Sequence, residues 1–153
     1  MSGWGRRLAQ WQALSHADRR MLMKAAACAP MMWLGLRVMG LARLHARLSR
    51  SFAPASAPLA LPEIQKLGEL VNIAACHVPF PATCLSRSLL LVWLLNRRGV
   101  RNDLRIGVRL TEGALEAHAW VECNGIPVND SHDVIHRFEP FDDPVPANSF
   151  DAP

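Results

Sequence analysis

The chain has 153 residues, half of them hydrophobic and one-fifth charged. That is the composition of a folded domain, and the length allows one core that buries roughly 70% of the unfolded surface but no large multidomain enzyme. The net charge of +4 is uneven: residues 1–50 hold eight Arg and one Lys against Asp18, residues 51–130 hold seven of each sign, and residues 131–153 hold five acids against Arg137. A basic first third suits an acidic peptide, an anionic surface or simply a solvated helix face. No DNA-binding motif and no aromatic interleaving accompany the Arg residues, so no nucleic-acid partner is expected.

Cys28, Cys76, Cys84 and Cys123 form no C-x-x-C pair, and no secretory signal opens the chain. Free thiols in a reducing, cytoplasmic setting are expected. The apolar, uncharged run 25–36 has 12 residues and includes Pro30. A membrane span needs about 20, so none is expected.

Three regions are expected: a basic helical region over 1–50, a Pro/Ala linker over 51–62, and a core over 63–153 that ends in an acidic, irregular tail. Ser15 and Asp18 fit a capping box that starts a helix at His16, with Met21, Leu22, Ala25 and Ala26 at helical spacing. Pro30 should break that helix near Ala29. A second helix over 31–49 puts Leu34, Val38, Leu41, Leu44 and Leu48 on one face and most Arg residues away from it. It either docks a partner or covers the core, and covering is the expectation.

Pro62 can open a helix to about Ala75, with Ile64, Leu67, Val71 and Ala74 inward. Residues 78–82, with Pro79 and Pro81, must be a loop. Thr83 can cap a helix over 84–98 that is apolar almost all round and is closed by Gly99. Leu104, Ile106, Val108 and Leu110 alternate with polar residues or glycine as a strand, and 115–123 is a second. Asn124-Gly125 signals a hairpin into a third strand, 126–129. From Ser131 onward the prolines and acids read as irregular.

Cys84, His118 and Asp130 together carry a chemistry. A helix N-terminus lowers a thiol pKa, and its free N–H groups can hold an oxyanion. An imidazole takes the thiol proton, and a carboxylate on its far nitrogen fixes tautomer and orientation. A two-residue loop at Asn124-Gly125 would put Asp130 opposite Ala119, on the wrong face. A three-residue loop, 123–125, would pair His118 with Asp130 and is therefore expected. Each residue also has a plain structural reading, as buried thiol, satisfied histidine and turn former. Cys28, Cys76 and Cys123 read as structural. His132 and His136 share helical spacing near Asp130 and Asp133, but no H-E-x-x-H is present, and no metal site or cofactor is expected. The scattered glycines make no phosphate loop.

Between about Leu61 and Asp130 the chain resembles the transglutaminase-like cysteine peptidases of lasso-peptide biosynthesis. The matching segments are 84–89 (CLSRSL), 94–100 (LLNRRGV), 104–108 (LRIGV), 117–122 (AHAWVE) and 125–130 (GIPVND). The basic, Leu-rich first half is similar too. The resemblance implies an α+β fold, a transglutaminase-like or papain-like core in which a Cys-bearing helix packs on a small antiparallel sheet. It implies leader removal from a ribosomally made precursor, with Cys84 as nucleophile, His118 as general base and Asp130 as its orienting acid. The implied partners are the precursor peptide, a separate winged-helix leader-recognition protein, for which this chain has no room ahead of residue 15, and an ATP-dependent macrolactam cyclase. The same triad could instead transfer an acyl group to an amine, or the chain could be a non-catalytic peptide-binding scaffold.

Overall fold

The computed structural model of the chain describes residues 14–54, 59–79 and 81–141. Helix α1 spans His16–Ser49. Ser15 caps it as expected, its hydroxyl accepting from the Asp18 N–H at 3.1 Å. The Asp18 carboxylate meets Lys66 of the next helix at 2.7 Å. The expected break at Pro30 does not occur. Pro30 sits inside the helix, and the one residue with non-helical dihedrals is Gly40, at φ 76° and ψ 170°. Proline removes a hydrogen bond yet keeps helical φ. Gly40 occupies a region that essentially only glycine reaches, so the chain turns there. The turn is sharp. In a straight helix Gly35 and Leu44 would stand about 13 Å apart, but a Cβ on Gly35 would lie 3.1 Å from Leu44 Cδ1.

This turn also corrects the expected apolar face. Leu44 and Leu48 are buried, with Leu22, Ala25, Ala29 and Met32, whereas Leu34 and Val38 are exposed. By length and composition α1 contains a window apolar enough to cross a membrane, with a mean hydropathy of 1.4 over 18 residues. In this structure its buried side packs on the two helices that follow. Nothing lies within 4 Å of a Cβ placed on Gly40, so Gly40→Ala tests conformation alone. Its expected cost is about 1–3 kcal/mol in a denaturant melt, and unchanged stability would show that the turn tolerates a side chain.

His45, beyond the turn, is buried, and its Nδ1 has no hydrogen-bond partner among the described residues. Burial holds its pKa below the usual 6.5. The unfolded chain therefore binds this proton more readily, and stability falls as pH drops below about 6.5 toward the folded value. His45→Leu is expected to flatten that part of the pH–stability curve. Equal slopes in both proteins would overturn the assignment.

Helix α2 spans Leu61–His77, with Pro62 in its first turn and the Ala60 N–H donating to Glu63 Oε2 at 3.0 Å. Ile64, Leu67, Val71 and Ala74 are buried as expected. Helix α3 spans Cys84–Asn96. Thr83 caps it through the Ser86 N–H at 3.2 Å, and Gly99, at φ 68°, lies just past its end. Its apolar run is buried nearly all round, between α1, α2 and the sheet.

The sheet runs in the order β3-β2-β1-β4, from β1 (Asp103–Thr111), β2 (Ala114–Cys123), β3 (Ile126–Pro127) and β4 (Glu139–Pro140), all antiparallel. Two expectations fail here. The hairpin loop has two residues, with Cys123 opposite Ile126, and not three. Asn124 and Gly125 have φ of 52° and 76°, the primed turn that matches strand twist. The tail is not irregular throughout: α4 (Val134–Arg137) forms one turn, and β4 pairs with the far edge of β1. The tail beyond Phe141 lies outside the described residues.

Candidate active site

Cys84 is the first residue of α3 and is half-buried. The Thr83 hydroxyl satisfies the Ser86 N–H, so the N–H groups of Cys84 and Leu85 have no helical acceptor. They project where an anion can be held. Cys123 is the contrasting thiol. Burial, with the Asp103 carboxylate adding, pushes it up to about 11 and leaves it unreactive. All four cysteines are free.

His118 lies in β2, opposite Gly107 of β1. Its ring stacks on Phe138 at 4.9 Å between centroids, with Trp120 on the same strand face at 6.2 Å. Trp120 is fully buried with Val134 and Phe138, and its indole N–H donates to Glu122 Oε1 at 2.8 Å. Arg105 holds the other Glu122 oxygen at 3.1 Å. The imidazole therefore rests on a platform that α4 and β1 help to build.

His118 Nε2 meets Asp130 Oδ2 at 2.6 Å. The two-residue loop should have placed Asp130 on the wrong face. The ladder instead ends at Val128, whose N–H donates to Val121 O at 2.9 Å. At the next position the Asn129 side chain takes over, its Oδ1 accepting from the Val121 N–H at 2.8 Å. The backbone is thus freed from strand geometry and turns Asp130 toward His118. Burial alone would raise the Asp130 carboxyl, but hydrogen bonds from His118 and Ser131 outweigh it and hold it below the usual range. Arg137 lies 3.4 Å from the other oxygen.

Asn129 also ties the site to the helices. Its Nδ2 donates to Ser88 Oγ at 3.1 Å, and Ser88 donates to Ala119 O at 3.0 Å, next to His118. Asn72 of α2 donates to Asn129 O at 2.8 Å. Ser88 is one turn beyond Cys84, so this bond anchors the cysteine-bearing helix beside the histidine strand. A Cβ on Gly68 would sit 2.0 Å from Val128 O, so only glycine lets α2 approach the loop this closely.

Cys84, His118 and Asp130 line one cleft of about 550 Å³ with Gln65, Glu69, Arg87 and His132. Among the described residues Cys84 and His118 make no hydrogen bond to each other, the loose geometry common before substrate binds. With Nε2 on Asp130, Nδ1 is the nitrogen left to face a thiol. His132 and His136 join no group of three metal-ligating residues among the described ones. Sequence reading missed Ser88, Asn129, Gln65, Arg87 and Phe138. A serine in an apolar run and an asparagine beside Asp130 were local signals for two of them.

A thiol at a helix start, a His–Asp pair on an antiparallel sheet and an α+β frame are what thiol-dependent acyl transfer requires. A family model for the transglutaminase-like superfamily matches residues 26–142, and the chain belongs to that family. Its members are typically cysteine-dependent enzymes, acting as peptidases or acyl transferases. Neither the curated proteins nor the solved structures yielded a match.

Proposed function

We propose that the chain is a cytoplasmic cysteine peptidase that removes the leader from a lasso-peptide precursor, with Cys84, His118 and Asp130 as its catalytic residues. The observation that carries this reading is the 2.6 Å contact of His118 Nε2 with Asp130, in the cleft that Cys84 lines. His118 Nδ1 takes the thiol proton, and the thiolate attacks the carbonyl at the leader–core junction. The N–H of Cys84 holds the oxyanion, and Gln65, whose amide has no partner among the described residues, is the side chain available to assist. His118 then gives its proton to the leaving amine, and the leader remains as a thioester. Water deprotonated by His118 attacks this thioester, the thiolate leaves, and the leader departs as an acid. These proton transfers call on no metal and no cofactor. A separate winged-helix protein presents the leader, which raises its effective concentration at a cleft with few apolar contacts. The freed core amine passes to an ATP-dependent macrolactam cyclase.

The test is mass spectrometry of a lasso-type precursor incubated with its recognition protein and either wild type or Cys84→Ala. Cleavage at one junction by wild type alone is expected. A product carrying an added amine would turn the reading to acyl transfer. No cleavage by either folded protein, with peptide bound, would overturn it in favour of a scaffold.

A further inference from the structure

Arg87 follows Cys84 by three residues on α3, which places the two side chains on one helix face with Cβ atoms about 5–6 Å apart. Both line the cleft. Among the described residues the Arg87 side chain makes no hydrogen bond and no ion pair, and its Nε is shut off from solvent without a partner. The side chain as a whole is half-buried, and a guanidinium is always charged, so its terminal N–H groups remain donors for an anion in the cleft. The acids of the cleft do not supply the missing partner. Asp130 is engaged by His118, Ser131 and Arg137, and Glu69 forms no ion pair with Arg87.

We propose that Arg87 anchors a carboxylate of the substrate, an Asp or Glu side chain within one or two residues of the carbonyl attacked by Cys84. The class of anion follows from the cleft. Arg87 is the only Arg or Lys lining it among the described residues. A phosphate, with nearly two charges, draws several cations or a nest of backbone N–H groups, whereas one planar guanidinium matches one carboxylate through two parallel bonds. The position follows from the helix. One turn spans about 5 Å, and an extended residue advances about 3.3 Å. A group held by Arg87 therefore sits one or two residues from the reacting carbonyl. This deepens the peptidase reading and rests on it for the place of the scissile bond; the anion site itself does not.

The test needs no precursor. The full chain is alkylated with iodoacetate or with iodoacetamide, and the rate at each cysteine is read by peptide mass spectrometry. The exposed Cys76 serves as internal reference. The iodoacetate-to-iodoacetamide ratio at Cys84 is expected to exceed that at Cys76 about tenfold, the effect of one favourable charge pair. Arg87→Gln should bring the ratio down to the Cys76 value, while Arg87→Lys should keep part of the preference. The ratio cancels any change in thiolate fraction, which alters both rates alike. His118→Gln removes another group of the cleft that can take up a positive charge, and a ratio due to Arg87 survives it. Equal ratios at Cys84 and Cys76 in wild type, a preference that persists in Arg87→Gln, or one lost in His118→Gln would each overturn the proposal. If Arg87→Gln fails to fold, the wild-type and His118→Gln ratios still decide. The absolute iodoacetamide rate answers a separate question: a Cys84 no faster than Cys76 would count against the nucleophile and leave the ratio to judge Arg87.

Discussion

Asp130→Asn is expected to lower turnover by about 10⁴-fold, the scale set by the same change in serine triads, with little effect on folding. The 2.6 Å contact requires a proton on His118 Nε2 and so leaves a lone pair on Nδ1 for the thiol. Asparagine can turn its NH₂ toward Nε2. The imidazole then carries its proton on Nδ1 and cannot accept another there. The amide oxygen can still take the Ser131 N–H that Asp130 Oδ1 accepts at 2.7 Å, so the loop has little reason to unfold. Thermal melts alongside turnover measurements separate the two effects. Activity within tenfold of wild type would remove Asp130 from the mechanism. A second consequence concerns acid. Burial raises this carboxyl, but the His118 and Ser131 bonds lower it more, so its folded pKa lies below 3.8. Its contribution to stability is complete at neutral pH and is lost as pH falls through the folded value. Asp130→Asn should remove that part of the acid limb.

Gly68→Ala is expected to cost about 3 kcal/mol, at the upper end of overpacking, because the obstacle is main chain. The added Cβ would lie 2.0 Å from Val128 O and 2.9 Å from Val128 C, and no rotamer change can relieve that. Either α2 or the 127–130 loop must move. The loop carries Asn129, held by Asn72 of α2, and then Asp130. Displacing it should separate the acid from the imidazole as well as lower stability. The melting temperature should fall by roughly 10 °C for a chain of this size. The residual folded protein should lose activity out of proportion to that fall. A variant with wild-type melting temperature and activity would show that the contact yields freely.

Local chemistry was legible in the sequence. Thr83, Pro62, the alternation of β1 and the Asn-Gly turn act through their own backbone preferences, and each formed the element expected of it. Cys84, His118 and Asp130 were legible as residue types in a spacing, and the resemblance added the α+β frame. What could not be read depends on what the chain later meets. Pro30 is the stronger breaker on paper, yet the helix runs through it and turns at Gly40, where Leu44 must come back onto Gly35. The expected hairpin length was wrong for a related reason. Facing Asp130 toward His118 seemed to need an extra loop residue, because nothing local announces that the Asn129 side chain will stand in for a strand. Phe138 and Arg137 come from a segment read as irregular, and their role rests on β4 joining the edge of β1.

The His118–Phe138–Trp120 stack has an optical consequence. The chain has five tryptophans and no tyrosine, so its near-ultraviolet emission comes from indoles, and Trp120 is, among the described residues, the fully buried one, its ring facing the imidazole at 6.2 Å. A charged imidazole at that range draws electron density from an excited indole and dims it. Emission followed against pH, compared with His118→Gln, therefore reads the protonation of the candidate base directly, in the resting protein and without any substrate in hand.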